Sequence, residues 1–362
     1  MTLLFADGFE GYTGGGNRTV LESVYSYNPA IDTSEAGVLT TGRVTGKCVF
    51  INESSSSQVA AITGHILNVS AMSSSATWIV GYAFEALRQD FHYIDDRGPM
   101  LQFRDSVNSA MVTVYISAGN VSVVTGQISS NTKIGLSTAR LFTNVWHYFE
   151  IKVTFSTTSG AVVIKIDGEE VLNATGVTSP TMPGSGELKP TQIILGNGGT
   201  IIQMLTDDLY ICDDQGTVNN DFLGDIGIRR LDPTVNGTTN QFTANTGDNF
   251  AAVNQDNPDG DTTYVESSTV GHNDLYVIDD ASGTPATINA LQVVATAKSD
   301  DGGTKGGRNM VLSNSLEGLG SEYALTSSYV PYQSIHETDP NGGAAWTEAG
   351  VNAAEIGIEV VS

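Results

Sequence analysis

Asn144–Gly168 reads NVWHYFEIKVTFSTTSGAVVIKIDG, and its alternation decides the fold class. In an extended chain Phe149, Ile151, Val153 and Phe155 fall on one face, and Tyr148, Glu150, Lys152 and Thr154 on the other. A second alternating run follows, with Val162, Ile164 and Ile166 opposed to Val163 and Lys165. Between them Ser156–Gly160 is small, polar and ends on glycine, as a hairpin turn requires. Asp167-Gly168 starts another tight turn, because Asp-Gly tolerates positive φ angles. The stretch predicts two strands at the centre of an antiparallel sheet with one buried face.

The same pattern runs outward in both directions. Strands are predicted at Lys47–Asn52, Thr77–Leu87, Met100–Arg104, Ala110–Ser117, Asn120–Thr125, Lys133–Leu136, Glu170–Ala174, Gln192–Gly196 and Asp207–Cys212. Thr77–Leu87 is apolar enough for a helix, but Gly81 and the β-branched Ile79 and Val80 favour a strand. Strands separated by such closely spaced turns indicate a sandwich or jelly roll. Ser54–Ser57 reads as an exposed turn, and Thr13–Asn17 and Asn28-Pro29 as loops.

Composition bounds the answer. The 362 residues suffice for two domains, each with its own core. Apolar residues make up 40% and charged residues only 15%, which excludes a disordered chain. The formal charge of −24 keeps the general surface off a nucleic-acid backbone, favours solubility and makes copies repel. No run approaches the roughly 20 apolar residues of a membrane span. The N-terminus lacks a basic segment and the roughly 7–15 apolar residues of a secretory signal, so the chain is expected to fold in the cytoplasm. Cys48 and Cys212, without a CxxC, suggest two buried thiols, or one bridge if their strands adjoin.

The division expected is a sandwich over 1–214, a polar linker at 214–220 and a second β-rich domain over 221–362. The second part opens on Phe222–Asp225, continues in short strands, and closes with Trp346-Thr347, a short helix or turn at Glu348–Ala354 and a strand at Ile356–Val361. No long amphipathic helix and no repeat of fixed period occur.

Trp146, His147, Glu150, Lys152 and Val153, followed by Gly160, Val162, Ile164, Ile166, Asp167 and Gly168, resemble the core of concanavalin A-like (laminin G-like) lectin and glucanase sandwiches. The resemblance covers roughly residues 1–214 and implies a jelly-roll fold whose first and last strands pair, here Phe5–Glu10 with Ile193–Asp213. Phe222–Asp225, Asp232–Gly237, Asp261–Gly271 with Asp274–Tyr276, and the terminal Trp346-Thr347, Asn352-Ala353 and Gly357-Ile358 resemble a module of tailed-bacteriophage structural proteins. That second resemblance implies a virion protein: a capsid decoration, a tail-associated protein or a fibre.

Chemistry is harder to find. Retaining glycoside hydrolysis needs two carboxylates about 5–5.5 Å apart. The glucanase strand of such sandwiches resembles E-x-D-x-x-E, which is absent; Asp167-Gly168-Glu169-Glu170 sits in a turn and breaks the spacing. Asp207-Asp208 and Asp256–Asp261 are the two acidic places where calcium, which takes oxygen ligands, would fit. Alternation sends Asp207 and Asp208 to opposite faces, and Gly260 breaks EF-hand spacing, so a structural tie and an exposed turn are the simpler readings. His65, His92, His147, His272 and His336 are scattered with no H-x-x-x-H, and no G-x-S-x-G occurs. His147 reads as packing or capping at a strand start. Gly302–Gly307 lacks the order of a phosphate loop and reads as a mobile loop. Trp78, Tyr82, Phe103 and Tyr115 lie on strands that could present rings to a sugar, though a sandwich needs such residues inside.

The expectation is therefore an all-β chain with no catalytic, cofactor-binding or metal-binding residue singled out and no cofactor required. Its expected role is that of a non-enzymatic structural protein on a virion surface. It would pack against other virion proteins and copies of itself, and contact host glycans, but neither nucleic acid nor membrane. The alternative is a carbohydrate-binding lectin or adhesin; a polysaccharide-degrading glycosidase is disfavoured by the missing motif.

Overall fold

The structure is a computed structural model describing residues 2–12, 19–25, 36–39, 42–43, 46–52, 64–87, 98–117, 119–126, 132–179, 186–196, 203–281, 283, 285, 287–300 and 305–362. The loops expected at Thr13–Asn17, Asn28-Pro29 and Ser54–Ser57 lie outside the described residues. The chain divides into two compact units, Thr2–Ile228 and Arg229–Ser362.

In the first unit the strands are β1 (Leu3–Asp7), β2 (Ala36–Leu39), β3 (Cys48–Asn52), β4 (His65–Asn68), β5 (Thr77–Ala86), β6 (Gly98–Arg104), β7 (Ala110–Ser117), β8 (Asn120–Thr125), β9 (Lys133–Arg140), β10 (Trp146–Thr154), β11 (Gly160–Ile166), β12 (Glu169–Gly176), β13 (Gln192–Leu195) and β14 (Gln203–Asp213), with one short helix, α1 (Thr19–Val24). They form two antiparallel sheets. One runs β12-β11-β10-β5-β14-β3-β2, with β1 also on β14; the other runs β4-β13-β6-β7-β8-β9.

The deciding stretch forms as its alternation demands. β10 pairs with β11 from Phe149↔Ile166 to Thr154↔Ala161, and with β5 along its whole length. Ser156 Oγ accepts from the amides of Thr158 and Ser159 and shapes the turn. Asp167 and Gly168 take φ of 52° and 84°, the positive values their pairing requires. Phe149, Ile151, Val153, Val162 and Ile164 then pack with Trp78 and Tyr82 against Leu101, Phe103, Val112 and Val114 of the facing sheet. Each such buried side chain stabilises the fold by roughly 1.5–3 kcal/mol before entropy is counted. The first and last strands pair as the resemblance implied, Ala6 opposite Tyr210 and Asp7 opposite Leu209. Asp7 fastens neighbouring chain to β1, its Oδ2 accepting from Tyr12 Oη at 2.6 Å and Tyr25 Oη at 2.9 Å.

The other face of the first sheet departs from expectation. Glu150 points away from the core yet is 1% exposed. The segment 221–228 lies over it. Gly224 N donates to Glu150 Oε1 at 2.8 Å, Tyr210 Oη donates to the same oxygen, and Leu223 N donates to Tyr210 Oη at 3.1 Å. Lys152 Nζ pairs with Asp221 at 3.2 Å, and Lys165 Nζ stands 4.6 Å over the Phe222 ring. Gly81 makes this possible: a Cβ there would sit 2.1 Å from the Tyr210 ring. Phe222–Asp225 thus belongs to the first unit, and the division falls after Ile228 rather than at 214–220. Cys48 and Cys212 are buried thiols that form no disulfide, and burial pushes the Cys48 thiol up to about 12.

In the second unit the strands are β15 (Pro233–Asn240), β16 (Thr243–Ala244), β17 (Val265–Glu266), β18 (Asn273–Ile278), β19 (Leu291–Ala297), β20 (Gly306–Ser313), β21 (Leu316–Leu319), β22 (Tyr323–Ala324), β23 (Val330–His336) and β24 (Glu355–Val360), with helix α2 (Glu348–Asn352). The main sheet runs β15-β18-β24-β20-β21, with β22 on β20; β16-β17 and β19-β23 form two small ribbons. Ile278, Val293, Val311, Trp346, Val351 and Ala354 make its small core. The fully buried Asp274 is satisfied from all sides, accepting from Gln241 N, Phe242 N, Asn249 Nδ2 and Tyr276 Oη. α2 and the closing strand form where the sequence predicts them, and Thr347 caps α2 by accepting from Gly350 N at 3.0 Å.

Candidate functional site

The outer face of the second sheet in the first unit carries a row of buried polar side chains. In β6, Leu101 and Phe103 enter the core, so alternation sends Gln102 and Arg104 outward. Across the ladder Gln192 stands opposite Arg104, and Ile194 and Thr113 stand opposite Gln102. Tyr115 and its partner Ser122 extend the row. All point away from the sandwich interior, yet Gln102, Arg104, Thr113 and Ser122 are each no more than 5% exposed.

Hydrogen bonds fix the direction of Thr113, Gln102 and Arg104. Thr113 Oγ1 donates to Gly126 O at 2.6 Å and accepts from Gln102 Nε2 at 2.8 Å. Gln102 must therefore turn its Oε1 towards Arg104, whose Nε donates to it at 2.5 Å. Arg104 Nη1 donates to Asn108 Oδ1 at 2.9 Å. Asn108 is held for this by its turn. It adopts φ 62°, and Asp105 Oδ1 accepts from Val107 N and Ser109 N. Burial lowers the Arg104 pKa, and the nearby Asp105 charge works against that shift. Two of the five guanidinium N–H donors are matched, both by neutral amide oxygens, and no carboxylate pairs with Arg104 among the described residues. Gln192 Oε1 is buried without a hydrogen-bond partner. The row thus presents spare cationic donors beside a spare acceptor, a combination suited to a ligand bearing oxygen anions and hydroxyls.

Sequence reading did not single out these residues. Of the four aromatics it considered, Trp78, Tyr82 and Phe103 are in the core, and only Tyr115 belongs to the outer row. Asp207 and Asp208 are structural. Asp207 accepts from Arg43 N and Asp208 N, while Asp208 accepts from Ile228 N at 2.7 Å and pairs with Arg43. Burial and the Asp208 charge push the Asp207 carboxyl up to about 7. Asp256–Asp261 is a turn whose Asp261 binds Lys298 and Tyr329. Among the described residues no three His, Cys, Asp or Glu side chains are grouped to hold a metal. His147 accepts from Phe142 N through Nε2, so Nδ1 carries its proton to Asp167 at 2.8 Å, a structural clasp. His65 is buried against Tyr25, His272 meets Ser267, and His336 meets Ser334; His92 lies outside the described residues. Gly306 and Gly307 open β20 instead of a mobile loop, because a Cβ at Gly307 would press on the Tyr323 ring; Gly302–Thr304 lie outside the described residues.

No known protein family matches the chain, and no curated protein resembles it in sequence. Solved structures align with part of it. An endo-β-1,4-glucuronan lyase from the fungus Trichoderma reesei aligns at TM-score 0.40 and 12% identity, over 58% of this chain and 95% of that one. The catalytic domain of a glycoside hydrolase family 131 protein from Coprinopsis cinerea aligns at 0.40 and 8%, over 62% and 99%. The galectin LEC-6 of Caenorhabditis elegans aligns at 0.29 and 10%, over 45% and 96%.

The chain is all-β, as expected: a two-sheet antiparallel sandwich followed by a second β-rich unit. At such identities the likeness is one of fold. The expected absence of enzymatic activity is corrected here. A lyase and a hydrolase catalytic domain are among the structures it is similar to, and one missing glucanase motif tests only one chemistry. The expected virion role gains no support from these structures.

Proposed function

We propose that the Thr2–Ile228 unit binds a saccharide chain across the outer face of β13, β6, β7 and β8. The observation that carries this is the Arg104–Gln192 pair beside Gln102: among the described residues, three N–H groups of the buried Arg104 guanidinium and the buried Oε1 of the half-buried Gln192 have no hydrogen-bond partner. A buried polar atom without a partner costs about 1–3 kcal/mol. A ligand rich in hydroxyls recovers that cost by supplying donors and acceptors together. The sheet holds the group on rigid strands, so little ordering entropy is spent on binding.

Isothermal titration of the protein with a panel of neutral and acidic oligosaccharides tests the proposal. Binding by at least one, weakened about tenfold or more by Gln102→Leu, is the expected result. A panel without any binder overturns it. The same saccharides, incubated with the protein and assayed for new chain ends, show whether binding leads to cleavage.

A further inference from the structure

Arg104 is unlike the other arginines whose contacts are resolved. Arg43 pairs with Asp208 and Asp225, Arg230 with Asp232, and Arg308 with Glu359. Their side chains are 18–24% exposed. Arg104 is 5% exposed and, among the described residues, has only neutral oxygens as hydrogen-bond partners. The chain holds 40 acidic residues against 16 basic ones, so the missing carboxylate is not for want of supply. Removing a cation from water is costly, Asp105 acts on Arg104 only through its charge and not by a hydrogen bond, and a planar carboxylate is the anion whose two oxygens match a guanidinium fork.

From this we infer that the saccharide taken by this face is acidic and that Arg104 binds its carboxylate. The inference rests on the saccharide-binding reading above. Nη2 carries two unmatched N–H groups and Nη1 one, so two parallel bonds to a carboxylate can form while Gln102 and Asn108 keep their own. Gln192, directly across the ladder from Arg104, offers its unmatched Oε1 to a hydroxyl of the same sugar. A uronic acid residue carries both groups on one ring. A neutral sugar would satisfy Gln192 and leave the buried charge unpaired. Gln102 and Asn108 are positioning residues, since they aim the guanidinium by holding Nε and Nη1.

The test compares oligouronates of several linkages with their carboxyl-reduced neutral counterparts, by titration calorimetry on the wild-type chain. The acidic form is expected to bind at least tenfold more tightly, with affinity falling as salt is raised. Arg104→Gln should remove that preference, and Arg104→Lys, which keeps charge but not the fork, should restore only part of it. Should Arg104→Gln not fold, the wild-type comparison alone decides. Equal affinity for acidic and reduced ligands overturns the inference and leaves saccharide binding standing. Preference for a sulfated neutral chain over every oligouronate overturns the carboxylate assignment. Absence of any binding overturns both readings.

Discussion

Replacing Glu150 by alanine puts the covered face of the first sheet to a quantitative test. Glu150 Oε1 accepts from Tyr210 Oη and from Gly224 N. Alanine leaves both donors unmatched. Tyr210 is 0% exposed, so its hydroxyl has no route to water. An orphaned buried donor costs about 1–3 kcal/mol, and the less buried Gly224 amide adds roughly the lower figure. The expected loss is about 2–4 kcal/mol, which lowers the Tm of a unit this size by roughly 5–15 °C. Urea denaturation followed by the fluorescence of Trp78 and Trp146 reads the first unit, and limited proteolysis between Asp221 and Ile228 reads the covering segment. Glu150→Gln, which keeps an acceptor at Oε1, should lose less than half as much. If Glu150→Ala unfolds within about 0.5 kcal/mol of wild type and the segment is cut no faster, the segment is not held by Glu150 and the account fails.

Two further outcomes are expected. Burial holds the Asp207 carboxyl at about 7 against an ordinary value of 3.8, so the folded chain keeps a proton that the unfolded chain releases. Its contribution to stability is present below about pH 4 and is lost as pH rises towards 7; denaturation at pH 5 and pH 8 should show a larger fall in wild type than in Asp207→Asn, and equal falls would refute the assignment. Thr347→Ala removes the cap on α2 and should destabilise the second unit by about 1 kcal/mol, read by the fluorescence of Trp346 against denaturant; no change would show that Gly350 N finds another acceptor.

The parts of the fold that sequence made legible are those governed by local alternation. The β10–β11 hairpin and the β5 strand follow from period-two patterns and turn residues, whereas the pairing of the first and last strands was implied by the resemblance. The capped helix α2 is similarly local, since Thr347 and Gly350 are three residues apart. What alternation does not state is what covers a face. Glu150 and Lys152 looked solvent-facing, because nothing near them in sequence shows that Phe222-Leu223-Gly224 returns to cover them. The polar run 214–220 before it lacks any periodicity, so it read as a boundary, and Phe222–Asp225 read as the opening of the second domain when the segment 221–228 is a tether of the first unit. Arg104 was missed for a related reason. At the end of a short strand it reads as an ordinary charged terminus. Only the ladder to Gln192 and the bonds from Gln102 and Asn108 show it to be buried and without an anion.

The tether also changes how the first unit would respond to force. β1 runs antiparallel to β14, with Leu3 opposite Cys212, so pulling on Thr2 and Asp213 alone would peel the strand bonds apart one after another. The chain does not leave at Asp213. It runs on over the sheet and reaches Ile228, against Gly8 at the far end of β1. Tension applied at Thr2 and Ile228 therefore acts along β1, and its ladder must shear as a set, with the bonds to Glu150 and Asp208 sharing the load.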